Sequence, residues 1–263
     1  MNITKIISSS FRYPFRNIKK LPILFVLFVL MAIVPIGMIY DNNYIKVIGI
    51  IAFLLFILIV PGYLLSIVTK GLTGSAMLPS LDLGKNIYDA IRLMILRIAY
   101  MIVPAVVFFI VLSTLGFKSF DLLLNFQIHS FIATWGLILI LILIAYLIFE
   151  FLLFFAKARL AYLNSLPEAL KVHKVIIDIK NIGIINIIIW LIVMVILMSV
   201  ISFVSSFVVA IPYIGFLIYL CIVIPIMESI GNYSLGLLYS NIVENDDDLN
   251  KIEMEIEMLK YSN

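Results

Sequence analysis

Apolar residues in this chain fall in long unbroken runs, and the polar residues collect between them. Six runs stand out, at about 21–40, 47–68, 99–115, 132–155, 182–207 and 214–239. A helix needs about 20 residues to cross the ~30 Å hydrocarbon core of a bilayer. Barrel strands also cross, but they alternate apolar and polar positions, and these runs do not. The pattern predicts an all-α integral membrane protein with six transmembrane helices.

Three stretches between the runs have helical rather than continuous apolar spacing. After Pro79, residues Leu83, Ile87, Ile91, Met94 and Ile98 share one face, and Asp82, Lys85, Asn86, Asp89 and Arg92 take the other. Ser165-Leu166-Pro167-Glu168 has the spacing of a capping box that opens a second such helix. At the N-terminus Ile3, Ile6, Ile7 and Phe11 form a shorter stripe above Lys5, Ser8, Ser9 and Arg12. Helices of this type are predicted to lie in the interface plane with the apolar side toward lipid.

Charge adds a direction. Of 18 Lys and Arg residues, only Lys46 and Lys118 fall in segments assigned to one side by six crossings; the others fall on the opposite side. Positive charge marks the cytoplasmic side, so both termini are expected in the cytoplasm and the location is the cell membrane. The chain then reads as three units of an amphipathic helix followed by a hairpin of two spans, over roughly 1–70, 71–156 and 157–240. Residues 1–240 form the membrane domain. Residues 241–263 form an acidic cytoplasmic tail with helical spacing, rich in Asp246, Asp247, Asp248, Glu253, Glu255 and Glu257. The connection at 116–130 holds Lys118, Asp121 and His129. The first run follows Lys5, Arg12, Arg16, Lys19 and Lys20, as a signal peptide's would, but it is long for one and no cleavage motif follows, so it is read as a retained span.

Composition agrees: 64% of residues are apolar and 13% charged, with mean hydropathy +1.22. A soluble domain is about 45–50% apolar and about 25% charged, so this chain has more apolar surface than a water-soluble fold of its size can cover. Cys221 is alone, which rules out an intrachain disulfide.

Two carboxylates stand inside predicted spans, Glu150 and Glu228. Ionisable groups in a bilayer are costly and often functional. Counting from the span starts puts Glu150 near the cytoplasmic interface and Glu228 nearer mid-depth. Either both are neutralised by hydrogen bonds or by Arg92, Arg97, Lys157 or Arg159, or they hold a proton or cation. Asp82, Asp89, Arg92 and Arg97 are a candidate polar cluster for a partner at the cytoplasmic interface. Pro61, Pro104 and Pro225 interrupt or open spans, and Gly231 and Gly236 with Ser229 and Ser234 offer a small face for helix packing. His129 and His173 have no second ligand at metal spacing. No catalytic motif, metal set, cofactor fingerprint or nucleic-acid-binding stripe is present.

Pro61-Gly62-Tyr63, Leu78-Pro79, the polar stretch 82–97, Ala99-Tyr100 and Pro104 are followed by Phe154-Phe155-Ala156-Lys157-Ala158-Arg159 and Leu166-Pro167-Glu168-Ala169. This series resembles an uncharacterised, largely archaeal, prokaryotic membrane family, domain of unknown function 4013, over roughly residues 10–240. The resemblance implies a multi-pass membrane protein and supplies no catalytic residues. Mitochondrial carriers share a three-unit plan, but the charges their motif places after proline are missing after Pro35 and Pro104. The expected function is a non-enzymatic membrane component with a scaffold, assembly or lipid-interacting role. Its partners would be the bilayer and a membrane or cytoplasmic protein met through the amphipathic helices or the tail. The alternative is a small transporter or channel for an ion or solute, using Glu228 and Glu150. An enzyme acting on lipid head groups is the weakest reading, since no nucleophile and base stand together.

Overall fold

A computed structural model describes residues 2–16, 18–39, 42–115, 128–212 and 214–261; the connection holding Lys118 and Asp121 lies outside them. The regular structure of the described residues is all helix, with no strand among them. The helices are α1 (Ile3–Arg16), α2 (Leu21–Ile39), α3 (Asn43–Leu72), α4 (Leu83–Leu115) and α5 (Ile128–Leu163), then α6 (Leu166–Ala169), α7 (Val172–Ile182), α8 (Ile184–Val209), α9 (Ile214–Ile218) and α10 (Ile224–Tyr261). A π turn over Tyr219–Val223 joins α9 to α10. Six of these segments are long and apolar enough to cross a membrane: Leu21–Met38, Asn43–Leu72, Leu83–Val111, Leu139–Leu163, Ile184–Val209 and Ile214–Ile242. No more than 33% of any span window is buried within the protein. Apolar helices exposed to that degree need lipid around them, because water cannot solvate them at tolerable cost.

Helix α3 is the centre of the bundle, packed on α2, α4, α5 and α10. Its second half, Ile59 to Val68, is buried almost throughout, while Ile48, Ile50, Ile51 and Leu54 in its first half are exposed. The same gradient runs through the other helices. Buried Leu96, Tyr100, Phe155, Leu160, Val175, Ile230 and Leu238 lie toward the end that carries the 73–82 and 164–171 segments. Phe108, Phe109, Ile140, Leu143 and Phe207, farther away, are exposed. The core therefore sits at the Lys- and Arg-rich end.

Glycine sets the closest crossings. A Cβ on Gly62 would stand 1.9 Å from the Asn86 carbonyl oxygen, so α3 and α4 touch backbone to backbone. A Cβ on Gly71 would meet the Tyr233 carbonyl oxygen at 2.4 Å, and one on Gly236 the Val68 carbonyl oxygen at 2.2 Å. The small face around Gly236 packs as its composition suggested, against Gly71 of α3.

Three expectations change. First, residues 82–98 are not a separate helix ahead of span three. They form the first half of α4, continuous with the span. The polar face does not turn outward: Asn86, Asp89 and Arg92 are buried, while Leu83, Ile91, Met94 and Ile98 are exposed. Apolar periodicity marks a face that avoids water, and lipid satisfies that demand as well as protein does. Second, Pro61 and Pro104 lie inside unbroken helices. Only Pro225 sits beside a disturbance. Its ring crowds the carbonyl four residues back, and the π turn ending at Val223 widens the helix there, with Ile224 N–H bonding to the Tyr219 carbonyl. Third, Ser165 caps α6 by position without a side-chain hydrogen bond. The helix it opens stops at Ala169 and a new one starts at Val172. Glu168 turns instead toward Lys171 and Arg159.

Candidate functional site

The polar side chains of the spans form layers across the Lys- and Arg-rich end. Outermost is α4, opened by Asp82, whose Oδ1 accepts from the Lys85 backbone N–H at 3.1 Å. Two turns on, buried Arg92 pairs with buried Asp89. Its Nη1 donates to the Asn164 carbonyl at 3.0 Å, and its guanidinium lies 4.6 Å from the Tyr88 ring centroid. Asn164 has φ of +51°, an uncommon value outside glycine, at the turn that presents this carbonyl. The four residues proposed as one cluster are thus dispersed. Asp82 caps a helix, Asp89 and Arg92 pair inside the protein, and Arg97 reaches a different partner.

Beside this layer, Arg159 of α5 donates from Nη1 to Asp178 Oδ2 of α7 at 2.6 Å, and from Nε to the Glu168 carbonyl at 3.1 Å. The Tyr239 hydroxyl donates to the same Asp178 oxygen. Asp178 and Tyr239 were not singled out in the sequence. The signal was present: Asp178 stands three residues after Val175 and four before Ile182, on the buried face of α7. Outside the spans, Lys171 Nζ lies 2.5 Å from Glu168 Oε1 and holds that carboxyl below its ordinary range. Tyr13 of α1 stacks on Tyr233 with ring centroids 3.8 Å apart, and burial pushes its hydroxyl well above its ordinary range. That hydroxyl donates to the Met77 carbonyl at 3.3 Å, and Tyr63 donates to the Pro79 carbonyl at 3.2 Å.

The two intramembrane carboxylates lie deeper. Glu228 is fourteen residues from either end of its span window, about 21 Å along the helix. Glu150 stands five residues before Phe155, where its apolar run ends, and thirteen before Leu163, where α5 ends. Glu150 Oε1 accepts from Arg97 Nη2 at 2.8 Å and from the Tyr146 hydroxyl at 2.7 Å. The Arg97 side chain is 64% exposed and that of Glu150 29%, so this ion pair faces out of the bundle. Glu228 is exposed, and its Oε2 accepts from Asn232 Nδ2 at 3.1 Å. Asn232 in turn accepts from Lys157 Nζ. An amide thus links a cation on α5 to a carboxylate on α10.

Glu150 also borders a groove of about 930 Å³ between α5 and α8, with Gly231 of α10 at its base. Phe151, Phe154, Trp190, Met194 and Met198 make most of its walls, and Ser199 and Ser202 line it. Trp190 Nε1 donates to Ser234 Oγ at 2.6 Å, which satisfies the indole within an apolar wall. No group of three His, Cys, Asp or Glu able to hold a metal occurs among the described residues.

The arrangement defines a multi-pass helical membrane protein. Its layered polar groups and the 73–82 and 164–171 segments lie at one end of the bundle, and a lateral groove opens among its spans. The chain belongs to the family described as protein of unknown function (DUF4013), whose model matches residues 45–210. That match is narrower than 10–240 and contains every stretch on which the resemblance rested. The chain matches none of the curated proteins and none of the solved structures.

Proposed function

We propose that this protein is a non-enzymatic component of the cell membrane that holds a lipid in the groove between α5 and α8. The groove itself carries this reading. It lies within span segments, its walls are aromatic and aliphatic, and its polar edge is limited to Glu150, Ser199 and Ser202. At that depth the surrounding medium is acyl chain, and an apolar hollow open sideways is filled from it. The pairing of charges on the spans favours a structural rather than a chemical role: Glu150 has Arg97, and Arg159 has Asp178 of α7. In this reading the spans form three hairpins, both termini face the cytoplasm by the distribution of Lys and Arg, and the acidic tail 241–263 meets a protein partner. Ser202→Trp fills the groove without touching the buried core. Purified in mild detergent, the native chain should retain lipid detectable by mass spectrometry, and the variant should lose most of it while melting normally. Equal lipid on both chains would overturn the proposal.

A second reading rests on Glu228. An exposed carboxylate near mid-depth, linked through Asn232 to Lys157 and close to the π turn, suits a proton or cation passing along α10. It predicts flux in liposomes that collapses in Glu228→Gln. Flux no greater than in empty vesicles would remove it.

A further inference from the structure

The N-terminal helix has two faces, and only one is used by the bundle. Ile6, Ser10 and Tyr13 are fully buried, and Ile3 and Ile7 pack partly against the same core. The aliphatic stripe expected to meet lipid is therefore spent on the protein, with Tyr13 stacked on Tyr233. Phe11 parts from that stripe. It is 44% exposed, beside Phe15 at 48%, their ring centroids 6.0 Å apart. Ile18, just beyond the helix, is 71% exposed. Lys5, Arg12, Arg16 and Lys19 are exposed as well, and none of them has an ion pair among the described residues.

Exposed aromatic and cationic side chains in one short segment point to a particular medium. In bulk water the rings would gain nothing from exposure, and no acidic partner among the described residues compensates the charges. At a lipid head-group layer each group is satisfied. The rings enter the acyl boundary, and the long basic side chains reach phosphates. Position fits. Ile18 is three residues before Leu21, where α2 begins, so it lies within about 11 Å of the start of the span. The head-group zone on each side of the hydrocarbon core is about 5–8 Å deep.

We propose that the outer face of α1, with Phe11, Phe15, Arg12 and Arg16, together with Lys19 just beyond it, binds the anionic lipid surface of the leaflet next to it. The inference stands apart from the groove, which is on other helices. Three cations at an anionic surface together favour this contact on the order of a hundredfold.

The test uses the full chain in vesicles. Ser8 is exposed and shares the face of Phe11 and Phe15. A spin label at Ser8→Cys, in a Cys221→Ser background, reports access of a water-soluble nickel chelate. The label should be protected in phosphatidylcholine vesicles containing phosphatidylglycerol and accessible in phosphatidylcholine alone. Protection should disappear with Arg12→Gln, Arg16→Gln and Lys19→Gln combined. It should also weaken as salt rises from about 0.1 M to about 1 M, where the screening length falls from about 10 Å to about 3 Å. Equal access in both lipids would overturn the proposal. So would protection in both lipids that is lost with Asp246→Asn, Asp247→Asn and Asp248→Asn, since the face would then be covered by the chain's own tail. Melting of the triple Gln variant at the native temperature shows that any loss is a loss of contact and not of fold.

Discussion

Gly62→Ala is expected to unfold the bundle at temperatures where the native chain is intact. The added methyl would stand 1.9 Å from the Asn86 carbonyl oxygen and 2.7 Å from its carbonyl carbon. Both are backbone atoms, so no rotamer change relieves the clash. Helices α3 and α4 must separate, and the contacts of Val60, Tyr63 and Ile67 loosen with them. Overpacking a core costs about 1–3 kcal/mol when side chains can adjust. Here the cost is expected at or above about 3 kcal/mol, because backbone must move. Gly236→Ala, aimed at the Val68 carbonyl at 2.2 Å, should behave likewise. Gly84→Ala is the control. Its nearest neighbour is a side-chain oxygen at 3.7 Å, and alanine is a better helix former by up to about 1 kcal/mol. Cys221 is the single thiol, so a thiol-reactive dye in detergent follows the melting of each variant. A Gly62→Ala chain that melts with the native one would mean that the α3–α4 crossing is not as close as described.

Asp178→Ala should produce the other large loss, about 3–5 kcal/mol, the cost of leaving a buried charge without its partner. The Arg159 and Asp178 side chains are 11% and 9% exposed, too dry for water to replace the lost carboxylate. Tyr239 would lose its acceptor at the same time. The pair ties α5 to α7 and, through Tyr239, to α10. The sharper result is the double variant. Arg159→Met with Asp178→Leu removes both charges and keeps apolar volume, so it should recover most of the stability lost in Asp178→Ala. The thiol-dye melt of Asp178→Leu, Arg159→Met and the double variant gives the three losses, and the double loss minus the sum of the two single losses gives the coupling. A double variant as unstable as the two single losses added together would show that the pair is not acting as a unit.

The six spans were legible because continuous apolar runs of this length have one physical solution. The existence of a polar face on residues 82–98 was legible too. What meets it was not: helical spacing separates Leu83 and Ile91 from Asn86 and Asp89 without saying whether water or protein takes the polar side. Partners were the hardest part. Arg97, Lys157 and Arg159 all stood near the expected interface, and only the crossing of α4 with α5 places Arg97 on Glu150. Asp178 was hidden by its context, a short helix that reads as a surface element until its buried face is seen to include a carboxylate. Gly62 was quoted as part of a motif, yet nothing along the chain shows that the backbone of Asn86 lies against it.

The inward polar face of α4 has a consequence for how the chain is made. Until α3 and α5 flank it, the first half of α4 would offer Asn86, Asp89 and Arg92 to hydrocarbon, where each is strongly disfavoured. During synthesis the apolar run from Ala99 onward can enter the bilayer by its own hydropathy, while the segment before it must wait. The Arg92 guanidinium finds the Asn164 carbonyl only after about seventy further residues have left the ribosome. Insertion of this helix is therefore a cooperative event among three helices, and its register in the membrane is settled after the fact by the arrival of the third.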